Sequence, residues 1–293
     1  MSRESLNAAM AQLGERLAST LRLAQVRGLY LPAPVADETG RDAFGFVLLD
    51  DGSVGPFYVS LGELLRTLWR RYPEPRAARV DIGEMLEGFA SDDVARRALA
   101  VGCYNALSAA LMRRAGFRPD GQRDERQDAD PHGTEKGGTV GMVGYFEPLI
   151  GRLLASGIRV RVLELAPQRV VAQAGVRCVH DAAELHNCSQ VLCSASTLVN
   201  DSLPELLTAL QGRVPVELVG PSCSGLPDPL FELGVAAIGG TAFAHAGDLF
   251  ARLDRGDSWR EAGRKYRLHA GNYPGLETLL RRLAERDPHA DQA

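Results

Sequence analysis

The sequence is short of most features that announce an activity. No apolar run is long enough to cross a bilayer, the longest weakly polar stretch being 235-VAAIGGTAFA-244, whereas a spanning helix needs about 20 residues. The five cysteines, Cys103, Cys178, Cys188, Cys193 and Cys223, are an odd count without C-x-x-C spacing, which argues for reduced thiols in the cytoplasm and against a disulfide framework. An excess of one charge is missing too: 33 Lys and Arg stand against 37 Asp and Glu, for a net charge of −4. No overall field therefore recruits nucleic acid or an anionic membrane. There is no G-x-S-x-G elbow for a serine nucleophile and no G-x-G-x-x-G turn for a dinucleotide. The first twenty residues lack the continuous apolar core of a signal peptide, and no internal repeat is visible.

What is there is a globular composition. The 293 residues are 45% hydrophobic and 24% charged, enough for one large domain or two ordinary ones. Leu6, Met10, Leu13, Leu17 and Leu21 recur at three or four residues and predict an opening amphipathic helix. The period falls to two in 44-FGFVLLDDGSVGPFYVS-60, a hairpin around Asp51-Gly52. Helical patterns follow at 61–72 and 82–89, and a nearly all-apolar helix at 94–112. For that helix Ser91 is the expected N-cap, Asp92 and Asp93 suit the positive end, and Gly116 is the stop. Residues 118–138 are charged and hold no Val, Ile, Leu or aromatic residue, which reads as a linker.

Beyond the linker, apolar strands at 139–145, 158–165, 176–179, 190–195, 214–220 and 235–240 alternate with helical segments. That alternation implies an α/β, doubly wound parallel sheet. The expected organisation is a small α+β domain over 1–118, a linker over 119–137, and a Rossmann-like domain with a helical tail over 138–293. Ligands of such sheets bind beyond the carboxyl ends of the strands. Those ends carry Gly144 and Tyr145, then Ser196, Thr197, Asn200 and Asp201, then Gly220, Pro221, Ser222 and Cys223, and finally Gly239-Gly240-Thr241.

In 139-TVGMVGYFEPLIGRLLASG-157 the glycines Gly141 and Gly144 are followed by Tyr145, Phe146 and Glu147, bulk that opposes the close approach of a pyrophosphate. Glu164 lies at the end of the second strand, where an acid can hold a ribose. It keeps open an adenosine-bearing cofactor such as S-adenosylmethionine.

The stretches 101-VGCYNAL-107, 141-GMVGYFEPLI-150, 194-SASTLVNDSLPELL-207 and 220-GPSCSGLPDPLFELGVAAIGG-240 together resemble a family described as putative heavy-metal chelation proteins. Its members join a domain like the enolase N-terminal domain to a Rossmann-like domain. The chain departs from the usual pattern at Ala195-Ser196-Thr197, where Gly-Thr-Thr is common, and at Cys223, where threonine or a small residue is common. The resemblance implies a ligand site in a cleft between the domains, with Asn105 on one side and the sheet-edge loops on the other.

Several further residues carry groups that can ligate or react. Cys223, beside Ser222, is the candidate thiolate for a soft metal, although a small buried thiol is the competing reading. The run 178-CVHDAAELHNCSQVLC-193 holds three cysteines and two histidines, but strand and surface-helix positions should point them apart. His245 reads as a cap residue, and 259-WREAGRKYRLHAGNY-273 as a solvated helix face.

Hard carboxylates are few among the edge loops. The expected ligand is therefore a transition metal held in a chelate, or a small organic chelator, rather than a bare ion. The base rate for assemblies adds a symmetric homodimer.

Overall fold

The computed structural model describes residues 3–35, 43–119, 134–244 and 246–286. Most of the expected linker lies outside the described residues.

The N-terminal unit is an antiparallel sheet with helices on one side. Its strands are β1 (Gln25–Tyr30), β2 (Phe44–Leu49), β3 (Val54–Tyr58) and β4 (Val80–Asp81), in the order β3-β2-β1-β4. The predicted hairpin is β2–β3, with Gly52 at φ +81° in its turn. The helices are α1 (Arg3–Leu21), α2 (Leu64–Arg71), α3 (Ile82–Leu86) and α4 (Val94–Arg114). Leu6, Met10, Leu13, Leu17 and Leu21 are all buried, so the apolar stripe of α1 faces the core as its spacing requires. Helix α4 is buried on most faces and lies close on β3, where a Cβ at Gly55 would come within 1.8 Å of the Gly102 carbonyl.

The N-cap of α4 is Asp93 rather than Ser91. Asp93 Oδ1 accepts from Ala95 N at 2.8 Å, while Ser91 Oγ accepts from Asp93 N at 3.1 Å. Several capping residues in a row leave the sequence degenerate, and the geometry of the incoming chain selects one.

The second unit is a seven-stranded sheet of β5 (Thr139–Val143), β6 (Arg159–Leu163), β7 (Val176–Val179), β8 (Val191–Ser194), β9 (Val216–Val219), β10 (Ala237–Phe243) and β11 (Gly263–His269). Their order is β11-β10-β9-β8-β5-β6-β7, parallel except for β11. The six strands from β5 to β10 are those expected from the pattern. The seventh corrects the reading of residues 259–273, which form a 3₁₀ turn at Trp259–Glu261 and then β11, not a helix face. Within β11, Tyr266 and Leu268 are buried while Lys265 lies exposed between Arg264 and Tyr266, a period of two hidden by the run of basic residues.

Helix α5 (Glu147–Ala155) covers one face of this sheet, burying Ile150 and Leu153 against Val140, Met142, Val160, Val162 and Leu192. The other face carries α6 (Ser196–Val199), α7 (Leu203–Leu210) and α8 (Asp228–Glu232), together with the helical side of the N-terminal unit, in one continuous core. Leu192 belongs to the first face, and its neighbours Val191 and Cys193 to the second.

After β10 the chain crosses to the N-terminal sheet. There α9 (Ala246–Asp254) places Leu249 against Phe46 and Val54, with Phe243 and Trp259 beside them. Arg76 lies between the rings of Tyr30 and Phe250, 4.9 and 4.4 Å from their centres, and pairs with Asp254. Helix α10 (Leu276–Arg286) ends the described chain and packs on α4. Among the described residues no helix is long and apolar enough to cross a membrane.

Candidate functional site

The sheet reverses its winding between β5 and β8, the position where open α/β sheets leave a crevice. Gly144 makes the turn there at φ +89°, and a Cβ on it would sit 3.1 Å from Ser194 Cβ. The turn therefore needs glycine both for its backbone and for the close approach of β8. Tyr145 follows, half-buried, with a buried hydroxyl oxygen that has no hydrogen-bond partner among the described residues. Across the crevice Ser194 Oγ and Ser196 Oγ are 2.8 Å apart, and Ser194 Oγ also accepts from Ser196 N. Asn200, half-buried, turns its carbonyl oxygen onto Ser202 N and Oγ at 3.2 and 2.7 Å. Gly220, at φ +130°, completes this row.

The remaining edge residues lie behind the row, in the seam with the N-terminal unit. Asn105 is 2% exposed, and its Nδ2 donates to the carbonyls of Pro56 and Ser222 at 2.8 and 2.9 Å. Ser222 Oγ accepts from Tyr58 N at 2.9 Å. Tyr104 donates its hydroxyl to the Leu226 carbonyl and packs on Gly225, where a Cβ would come within 2.4 Å of the ring. Asn105 and the loop from Gly220 to Ser222 do face one another, in direct contact. Thr197 is also buried, its hydroxyl donating to the Ser194 carbonyl at 2.7 Å. Pro221 and Cys223 are buried in a 3₁₀ turn, where Cys223 Sγ donates among the carbonyls of Gly220, Gly239 and Leu218. Burial pushes this thiol far above its ordinary range, and nearby Glu217 adds to the shift.

Asp201 is buried as well, at φ +61°, and pairs with Arg97 of α4 at 3.3 Å while Asn7 of α1 donates to both its oxygens. It ties the two units together.

The run from Cys178 to Cys193 disperses. Cys178 sits half-buried on β7 and His180 is exposed, while His186 places Nε2 2.9 Å from the Ala209 carbonyl. Cys188 is buried, although the sequence reading placed it on a surface helix. Among the described residues no group of three His, Cys, Asp or Glu side chains could hold a metal ion. His245 lies outside the described residues. Glu164 caps its own turn, accepting from Ala166 N at 3.1 Å.

A cavity opens on the α5 face of the sheet, on the β8 side of the switch point. Its walls are Leu149 and Arg152 of α5, Leu192 of β8, Trp259, and Lys265 of β11; its floor is Glu217, Val219, Gly239 and Thr241. Gly239 leaves the floor open for want of a side chain, while Gly240, facing the other way, makes room for the Tyr266 ring and Ser224. Glu217 is fully buried and accepts from Arg267 Nε at 2.9 Å. The guanidinium reaches it across β10, where Ala237 and Gly239 are the register partners.

Of the residues named from sequence, only Gly220, Pro221 and the Gly239–Thr241 segment line this cavity. Arg152, Glu217, Trp259 and Lys265 were missed as site residues. Glu217 alone left a signal, as a lone acid in the apolar strand 214-VPVELVG-220. The cavity holds about 100 Å³, against roughly 300–1,000 Å³ for a site enclosing a whole cofactor. With Glu164 engaged locally as well, an adenosine-bearing cofactor finds no support in this geometry.

Residues 128–271 match the model of a family described as putative heavy-metal chelation. No curated protein matches the chain. Two solved structures share its fold over most of its length. One, a protein with unknown function of that family from Pyrococcus horikoshii, is 15% identical with a TM-score of 0.66, covering 90% of this chain and 100% of its own. The other, also a family member with unknown function, from Desulfitobacterium hafniense DCB-2, is 16% identical with a TM-score of 0.58, covering 87% of this chain and 97% of its own. The family expected from the sequence is thus the one whose model, described as putative heavy-metal chelation, matches residues 128–271 in the Rossmann-like part of the chain.

Proposed function

We propose that this protein binds a heavy metal in the form of an organic chelate, at the carboxyl edge of its Rossmann-like sheet. The family description supplies the metal. The observation that carries the rest is the chemistry of the edge. Gly144, Ser194, Ser196, Asn200 and Gly220 offer hydroxyls, an amide and backbone groups, donors suited to the outer surface of a complex. Bare transition ions select thiolate, imidazole or clustered carboxylates. The one thiol at this edge, Cys223, is buried, its proton directed at carbonyls and its ionisation opposed by burial. A metal whose coordination sphere is already filled by an organic ligand needs none of these groups.

Equilibrium dialysis tests this, with metal measured by mass spectrometry. Nickel(II) is offered to the purified protein as the aquo ion, as its citrate complex and as its triethylenetetramine complex. Saturable uptake of a complex, with none of the aquo ion, is the expected result. Tight uptake of the aquo ion that Cys223→Ser abolishes would overturn the reading.

A further inference from the structure

The cavity on the α5 face has a chemistry of its own. Two basic side chains, Lys265 and Arg152, line it beside one acid, Glu217, which Arg267 engages; Arg152 is itself engaged in the fold, so the open cation is Lys265. Lys265 is exposed, and its ammonium has no ion-pair or hydrogen-bond partner among the described residues. The rest of the wall is apolar, Leu149 and Trp259 above and Gly239 below, so a charge seated there is partly withdrawn from water. The volume of about 100 Å³ compares with the roughly 150 Å³ of an engineered cavity that takes up benzene. It accepts one small arm of a ligand and no more.

We infer that this cavity is an anion-docking pocket, in which Lys265 and Arg152 hold a carboxylate arm of the ligand, so that the chelator this protein recognises is a polycarboxylate. The inference rests on the chelate reading above for its ligand, and on the cavity alone for its charge. A compact ammonium with three donors suits a carboxylate entering at the rim, and the planar guanidinium on α5 suits its second oxygen. Glu217, held by Arg267, lines the floor and repels a carboxylate that goes deeper, which keeps the arm at the level of Lys265. A cationic or neutral chelator gains nothing from this arrangement.

The sequence makes the test selective, because Lys136 and Lys265 are the only two lysines in the chain. Lysine acetylation of the folded full-length protein, read by peptide mass spectrometry, reports Lys265 with the exposed Lys136 as internal reference. Citrate and nickel citrate should each slow acetylation of Lys265 at least fivefold and leave Lys136 unchanged. The nickel–triethylenetetramine complex should protect neither.

Lys265→Met should weaken citrate binding about tenfold and Lys265→Arg should restore most of it, both with unchanged thermal midpoints because the side chain is exposed. Unprotected Lys265 at saturating citrate would overturn the inference. If dialysis shows uptake of the polyamine complex without protection, the chelate reading stands and the polycarboxylate inference falls. If free citrate protects Lys265 while no metal complex is taken up, the pocket stands and the chelate reading falls.

Discussion

Asn105 spends both hydrogens of its amide on main-chain carbonyls, one from Pro56 in the N-terminal unit and one from Ser222 in the sheet-edge loop. A single side chain thus satisfies two buried acceptors from different units, and its removal strands both. Asn105→Ala should destabilise the protein by about 1–3 kcal/mol, the usual penalty for buried groups left without partners, read by urea denaturation.

The cysteines obey the same logic of burial. Cys103 and Cys223 are pushed far above the ordinary thiol range by burial, and Cys193 to about 12. Because the thiolate is the reactive species, iodoacetamide at pH 8 should modify the half-buried Cys178 first. The other four, all buried, should react only after denaturation. Fast modification of Cys223 in the folded protein would contradict its placement.

At the scale of the element, the start of α4 concentrates several effects on one carboxylate. Asp93 caps the helix through Ala95 N and Arg96 N and pairs with Arg71 at 2.6 Å. The Arg71 hydrogen bond holds its carboxyl below the usual carboxylate range, against the opposing effect of burial and with help from the backbone donors and the Arg71 charge. Its folded value is the lower one, so its contribution is complete above the unfolded value of about 3.9 and disappears as pH falls through the folded value. Asp93→Ala should cost about 1 kcal/mol. Asp93→Asn retains the cap, and its difference from the wild type should be constant near neutrality and close below about pH 4, as followed by thermal melts across pH.

At the scale of the whole molecule the two units share one core, and a buried ion pair bridges them. The side chains of Arg97 and Asp201 are 3% and 4% exposed, and Asn7 adds hydrogen bonds from α1. Such a pair adds little net stability over an apolar replacement, yet breaking it leaves a charge buried alone. Asp201→Asn tolerates the left-handed backbone and removes only the charge. It should cost about 3–5 kcal/mol. Calorimetry of the wild type should show one unfolding transition spanning both units, because the largest core runs continuously through both. Two resolved transitions would contradict this.

How much of this was legible in the sequence follows from the range of each signal. Periods of three to four and of two fixed α1, the β2–β3 hairpin and the six strands from β5 to β10, since they depend only on which face of an element is apolar. The carboxyl-edge loops followed from parallel connectivity alone. Strand β11 escaped because a solvated edge strand rich in arginine has a weak apolar signal.

The site was less legible, for the same reason. Local sequence states that Ser196, Asn200, Ser222 and Cys223 lie at strand ends, but not which of them the N-terminal unit covers. That depends on Asn105 and Tyr104 of α4 reaching the 220–226 loop from more than a hundred residues away in the chain. The cavity likewise needs Arg152, Gly239 and Lys265 brought together from α5, β10 and β11. The sequence alone determined most of the elements and their order. Tertiary packing alone decided which edge residues are filled seam and which are open pocket, because burial is a property of what lies opposite an element and not of the element itself.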